Sequence, residues 1–255
     1  LTVQADVATY PPEAFTGVTG LIASPPCPDF STAGSGLGRA GESGWLVDVP
    51  RRWVETLRPE WVACEQVPGA LPIWREHAHA YRELGYSTWC GILNSAGFGV
   101  PQTRKRAILL ASQVGQVGPP APTHAQDPKA DLFGPGLKPW VTMADALGYA
   151  PAPWCLDRPA TTLCGDPRVS PPGWRGRPED YAPDGTYMGK RSGTDAIRLT
   201  IDEATVLQSF RPGYPWQGSR TSTFTQVGNA VPPLLAGHVL SAVTGVPLRA
   251  LAVAS

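Results

Sequence analysis

A cysteine framed by prolines stands at the end of an apolar run near the start of the chain. The run is Thr19-Gly20-Leu21-Ile22-Ala23-Ser24, and Pro25-Pro26-Cys27-Pro28-Asp29-Phe30-Ser31 follow it. Such a run reads as a buried strand, which places the thiol in a loop at the strand's C-terminal end. Proline fixes its own φ and biases the residue before it toward extended conformations. Cys27 therefore has few backbone states and can be aimed. That suits a nucleophile, whose attacking atom must come within about 3–3.5 Å of its target. The thiol must also be substantially ionised, which asks for an electropositive or hydrogen-bonding surround. A lone cysteine is equally at home as a small buried hydrophobe, so the rest of the chain has to decide between the two.

Three further segments carry groups that could serve such a nucleophile. Trp61-Val62-Ala63-Cys64 reads as a second strand, and Glu65-Gln66-Val67-Pro68 ends it with a carboxyl group. Pro101-Gln102-Thr103-Arg104-Lys105-Arg106 precedes a third apolar run. If that stretch is extended, alternation puts Arg104 and Arg106 on one face. Arginine offers a rigid, permanently charged fork that fits a carboxylate or a phosphate. The last segment is Gln226-Val227-Gly228-Asn229-Ala230-Val231-Pro232-Pro233. Taken singly, each has a plainer reading: a surface glutamate, a basic loop, a glycine-containing turn.

In this order and at this spacing, the four segments resemble the cytosine-C5 DNA methyltransferases. The resemblance implies an α/β fold, a Rossmann-like sheet of the S-adenosylmethionine-dependent methyltransferases with a smaller loop-rich target recognition lobe. It implies transfer of a methyl group from S-adenosyl-L-methionine to carbon 5 of a flipped-out cytosine in double-stranded DNA, as in a restriction-modification system. Carbon 5 is a poor nucleophile until a thiolate adds at carbon 6, and the covalent adduct divides one hard step into easier ones. Cys27 matches the family's nucleophile. Glu65 would stabilise charge at ring nitrogen N3, the work of a positioned acid. Arg104 would approach the cytosine O2, and Arg106 would order the site by pairing with a carboxylate, Glu65. The glycine-rich stretch Ser31 to Gly44 would be the mobile catalytic loop, with Ser31 on a phosphate and Gln102 also at the DNA. Its glycines do not follow a strand directly, as a phosphate-binding fingerprint would require. The family carries Gln after the cysteine where this chain has Pro28, and Asn after the glutamate where it has Gln66.

For the methyl donor, the resemblance implies contacts from Asp6, Pro26, Leu46, Asn229 and Val231. Leu1 to Val7 resembles the family's third strand with its adenine-contacting Asp. The family's first glycine-rich block and the acidic residue of its second strand have no counterpart in the 255 residues. The expectation is therefore a sheet without its first strands, completed by a missing N-terminal segment or a second polypeptide, and a chain that alone binds no donor. The alternative reading is a catalytically incomplete fragment, a DNA-binding remnant lacking the cofactor site.

Positioning these groups falls to alternating strands and helices. Residues 19–24, 61–65 and 106–112 read as strands. Residues 45–57 and 72–84 carry apolar residues at helical spacing, with Pro50 acceptable only in a first turn. Gly85 reads as the second helix's stop. Such alternation implies a mostly parallel sheet covered on both faces, with ligands outside the strands' C-terminal ends. From 113 to 196, proline, glycine and short polar segments dominate, with one short strand expected in 158–163. Regular structure returns at Leu199, where Thr200 and Glu203 form a capping-box pattern, and Pro232-Pro233 opens a last helix through about Val243. The organisation expected is 1–112 and 197–255 as two parts of a catalytic domain around a target recognition domain at 113–196.

The composition is compatible with this. Hydrophobic content is 42% and charged content 16%, with 29 prolines and 28 glycines, so elements should be short and loops many. Five scattered cysteines without C-x-x-C pairs argue against a zinc site or a disulfide framework. No run of about 20 apolar residues predicts a membrane span, so no membrane or metal partner is expected, and the protein is read as cytoplasmic, at the nucleoid through DNA. The formal net charge is zero, a mild mark against phosphate binding. Arg104-Lys105-Arg106 with Arg168, Arg175, Arg177, Lys190 and Arg191 could still line one face.

Overall fold

The computed structural model describes residues 2–26, 28–30, 36–128, 136–165, 168–169 and 196–248. Contacts divide them between two compact units, one within Leu1–Leu93, Lys105–Ala121 and Ala236–Ser255, the other within Asn94–Arg104 and Pro122–Leu235.

The first unit is built on a four-stranded sheet. Its strands are β1 (Gly20–Ala23), β2 (Trp61–Gln66), β3 (Ser87–Asn94) and β5 (Lys105–Ser112), in the order β1-β2-β5-β3. β4 is the two-residue strand Gln102–Thr103, which belongs to the second unit. β1 and β2 are parallel, with Ala23 beside Cys64. β2 and β5 are antiparallel, pairing Trp61 with Ser112 and Gln66 with Ala107. The mostly parallel sheet expected from sequence is thus a mixed one. The reason lies in the connection: only a single 3-10 turn (Ser95–Phe98) and the two-residue β4 separate β3 from β5, with no α-helix, and a parallel partner needs a crossover of a dozen or more residues. Gly20 is required where it stands, because a Cβ there would meet the Trp61 ring at 2.1 Å.

Two helices follow the sequence pattern closely. α1 (Val49–Leu57) accepts Pro50 in its first turn and ends at Arg58, whose left-handed backbone (φ 48°) lets its amide reach the Val54 carbonyl. α2 (Leu71–Glu83) buries Ile73, Trp74, His77, Ala78 and Tyr81, one face of a helix, and Gly85 follows with φ +91°. These side chains pack with Val62, Cys64, Ala107 and Leu109 of the sheet. The buried Trp74 indole donates to the Ala107 carbonyl at 3.1 Å, so its one polar atom is satisfied. Among the described residues 2–7, the strand expected over residues 1–7 is not formed. Residues 2–6 have no regular structure, and the Asp6 carbonyl accepts the Thr9 and Tyr10 amides, closing a turn in place of a ladder.

The second unit is assembled from short elements. They are β4, β6 (His124–Ala125), β7 (Lys138–Pro139), α3 (Met143–Leu147), β8 (Ala160–Thr161), β9 (Arg168–Val169), β10 (Ile197–Arg198), α4 (Ile201–Leu207) and α5 (Arg220–Asn229). α6 (Pro233–Thr244) follows. Capping boxes open α3 (Thr142, Asp145) and α4 (Thr200, Glu203). The α4 box stands where sequence placed it. Met143, Cys155, Leu163, Leu199, Leu207, Phe224 and Val227 form this unit's core. Of the basic residues expected to share a face, Arg175, Arg177, Lys190 and Arg191 lie outside the described residues.

Candidate functional site

Parallel pairing brings the C-terminal ends of β1 and β2 to the same edge of the sheet. With Ala23 beside Cys64, the next residues, Ser24 and Glu65, fall side by side. The Ser24 hydroxyl donates to Glu65 Oε2 at 2.8 Å. Arg106 Nε meets Glu65 Oε1 at 2.9 Å, and both side chains are largely covered, at 12% and 14% exposure. The pairing of Arg106 with Glu65 expected from sequence is present. A carboxylate gripped at both oxygens by charge-assisted bonds has a fixed plane, and its remaining lone pairs point in set directions.

Gln66 grips the same loop one residue further on. Its side chain is 2% exposed, and its amide nitrogen donates to the carbonyls of Pro25 (2.8 Å) and Pro26 (3.1 Å). Its amide oxygen accepts from the Val67 backbone at 2.6 Å. The last two residues of β2 therefore hold the three residues that precede Cys27. Cys27 and Ser31 themselves lie outside the described residues. Beyond them, Asp29 is buried; its carboxylate accepts from the Ser43 amide (3.0 Å) and hydroxyl (2.8 Å), and its carbonyl accepts from the Gly38 amide (2.8 Å). Sequence reasoning missed Ser24, Asp29 and the grip of Gln66.

Beside this corner lies a cavity of about 640 Å³, within the range of small-molecule sites. It runs along β1 from Gly20 to Pro26 and is walled by Asp6, Val7, Phe15, Leu46 and Trp53. Asp6, Pro26 and Leu46, three of the residues expected at the donor, all line this cavity. The segment carrying Asp6 is fastened to α1. Arg52 donates to the carbonyls of Ala8 (2.6 Å) and Tyr10 (2.7 Å), and the Trp53 indole donates to Val7 at 3.1 Å. Phe15 packs on the Trp53 ring at 5.7 Å between centroids.

The remaining expected residues lie in the second unit. Arg104 is not on the face of β5, which begins at Lys105. It is 1% exposed, and its guanidinium donates to the carbonyls of Leu163 (3.2 Å) and Asn229 (3.5 Å). Gln102, expected at the DNA, is fully buried. Its amide nitrogen donates to Gln208 Oε1 at 2.5 Å, and its oxygen accepts from the Leu163 amide at 2.9 Å. Gln208 passes the chain on to the carbonyls of Val227 and Ala230, both at 2.8 Å. Buried amides are costly unless satisfied, and this relay satisfies both, so Gln102 is a strut of the core. Gly228, between two of these residues in sequence, packs closely elsewhere: a Cβ there would stand 2.5 Å from the Cys164 carbonyl carbon. Asn229 is exposed and Val231 half-buried.

Two other groups could be mistaken for reactive ones. Burial pushes the Cys64 thiol up to about 12, which keeps it protonated. His77 donates to Asp48 at 3.0 Å, and Asp48 also takes a two-point contact from Arg39. His77 is fully buried in α2. Burial holds the imidazole below its ordinary value against the pull of Asp48, so it is a neutral core residue. Among the described residues, no group of three or more His, Cys, Asp or Glu side chains could hold a metal ion, and no helix is long and apolar enough to cross a membrane.

Comparison with known proteins bears on this arrangement. The family model of C-5 cytosine-specific DNA methylases matches residues 2–134, just over half of the chain. The Type II methyltransferase M.AquIA of Picosynechococcus sp. is 33% identical over 148 residues, 51% of this chain and 60% of that protein. The Type II methyltransferase M1.HphI of Haemophilus parahaemolyticus is 27% identical over 272 residues, 88% of this chain and 67% of that protein. The chain thus spans about two thirds or less of the length of these two relatives. Among solved structures, the Entamoeba histolytica methyltransferase EhMeth superposes with a TM-score of 0.63 at 12% identity, covering 94% of this chain and 82% of that one. At that identity the likeness is one of fold.

Proposed function

Because the chain belongs to the C-5 cytosine-specific DNA methylase family, we propose that it methylates carbon 5 of cytosine in double-stranded DNA. The observation that carries this reading is the Glu65 carboxylate, held by Arg106 and Ser24 at the end of β2. Cytosine must leave the helical stack to reach such a corner. The Cys27 thiolate adds to carbon 6, which makes carbon 5 enamine-like and drives negative charge to N3. Glu65 shares a proton with N3, and Arg106 keeps its carboxyl plane facing the ring. After the methyl group has joined carbon 5, the proton on that carbon leaves to a base. The carbon–sulfur bond then breaks, which restores the ring double bond and frees the thiolate.

The donor reading of the cavity rests on its chemistry. An aromatic and aliphatic wall of Phe15, Leu46 and Trp53 suits a purine, and the Asp6 carboxylate suits an amine or hydroxyl donor. S-adenosylmethionine supplies a methyl group activated by its sulfonium charge. Asp6 would orient its nucleoside, and Pro26 and Leu46 would exclude water from it. Residues 113–196 are proposed to read the DNA sequence. Exchange of that segment with a relative of different target should move the methylated site with it, and retention of the parental target would place specificity elsewhere.

The mechanism is tested by trapping. Duplex DNA with 5-fluorocytosine at the target keeps fluorine where the proton must leave, so the enzyme stays bound. The full-length protein with S-adenosylmethionine should give a denaturant-stable adduct, and Cys27→Ser should give none. Equal adduct from Cys27→Ser would overturn the assignment of the nucleophile.

A further inference from the structure

Ser24 stands at a junction that neither its neighbours nor the family match explains. It is an exposed side chain on the cavity wall, and its hydroxyl donates to Glu65 Oε2 instead of being left to water. Glu65 Oε1 is already committed to Arg106. A single arginine nitrogen leaves a carboxylate free to turn about its last torsion, which is broad and soft. The second donor, on the other oxygen, removes that freedom. The backbone that carries Ser24 is held in turn by Gln66 through the Pro25 and Pro26 carbonyls, so the hydroxyl is presented from a fixed place.

We propose that Ser24 is a positioning residue for Glu65: its hydroxyl locks the carboxyl plane against Arg106 and links the cavity wall to the group that meets the cytosine ring. This rests on the reading of Glu65 as the acid at N3. The hydroxyl touches neither base nor reacting atom. It acts by keeping Glu65 in one orientation, so that no reorganisation is needed when charge develops. A hydrogen bond to a charged group is worth enough that its loss should slow a step dependent on that orientation about ten-fold.

The test compares the parent, Ser24→Ala and Ser24→Thr in the full-length protein with two readouts. The first is water exchange of the Arg106 Nε proton by NMR, with the signal assigned by its loss in Arg106→Lys. Ser24→Ala should speed that exchange several-fold, because the carboxylate can swing away, and Ser24→Thr should leave it near the parent. The second is methyl transfer at saturating DNA and S-adenosylmethionine. Ser24→Ala should lower kcat about ten-fold with both KM values little changed, and Ser24→Thr should recover most of it. Unchanged exchange and kcat in Ser24→Ala would overturn the proposal, as would a threonine variant no better than alanine. If the parent transfers no methyl group at all, the proposed function fails, while the exchange measurement still decides whether Ser24 holds Glu65.

Discussion

Arg104 and Arg106 are two residues apart and sit in opposite settings. Arg106 lies in the first unit near the start of the interior strand β5, facing a carboxylate beside a cavity. Arg104 lies in the second unit, sealed from water, facing two backbone carbonyls. A guanidinium on a carboxylate fixes the direction of a titratable group and so serves chemistry. On carbonyls, the same fork ties a loop to the end of a helix and serves the fold. The same division separates Glu65 from the equally polar Gln102, which is spent wholly on the core relay.

The largest effect expected is on the Glu65 side. Glu65→Gln keeps the shape and loses the transferable proton, so turnover should fall by about 10²–10⁴, with the urea midpoint close to the parent's. Near-parental turnover would erase the catalytic half of the contrast. Next is Arg104→Met, which removes the donor from the buried Leu163 carbonyl and from the partly covered Asn229 carbonyl. It should cost about 3 kcal/mol of stability, read from urea unfolding, whereas Arg106→Lys should cost about 1 kcal/mol or less and act mainly on kcat. Equal losses of stability from the two would break the comparison. Gly228→Ala should cost about 1–3 kcal/mol by forcing α5 off the Cys164 backbone, and an unchanged midpoint would show that the contact yields easily.

The smallest effect is a pH dependence confined to the first unit. Burial holds His77 below its ordinary 6.5. Burial would raise Asp48, but hydrogen bonds from Arg39 and His77 outweigh it and hold the carboxyl below its usual range. In both cases the unfolded chain takes up a proton that the folded chain refuses. Stability should therefore fall as pH drops below about 6.5 and continue to fall through the carboxylate range. His77→Gln should flatten the upper part of that slope. A parent whose urea midpoint is constant from pH 7 to 5 would contradict the linkage.

The parts legible in sequence were those set by local pattern. β1, β2 and β5, helices α1 and α2 and the Thr200–Glu203 cap follow from apolar spacing, proline position and capping residues, whereas the approach of Arg106 to Glu65 was implied by the family resemblance. What escaped depended on partners distant in sequence. The antiparallel β5 depends on the short link from β3. The turn at Asp6 replaces a strand because its backbone found partners within itself. Gln102 and Arg104 read as surface residues by type, and only tertiary packing against Gln208, Leu163 and Asn229 makes them core. Ser24 gave no signal of its own, since a serine after a strand is ordinary and its partner lies 41 residues away.

The most direct measurement is the identity of the product. Target DNA incubated with the full-length protein and S-adenosylmethionine, digested to nucleosides and separated by mass spectrometry, should contain 5-methyl-2′-deoxycytidine, and Glu65→Gln should yield about 10²-fold less or lower. Methylation on an exocyclic amine, giving N4-methylcytosine or N6-methyladenine, would contradict the account, because neither product needs a thiolate at carbon 6 or an acid at N3.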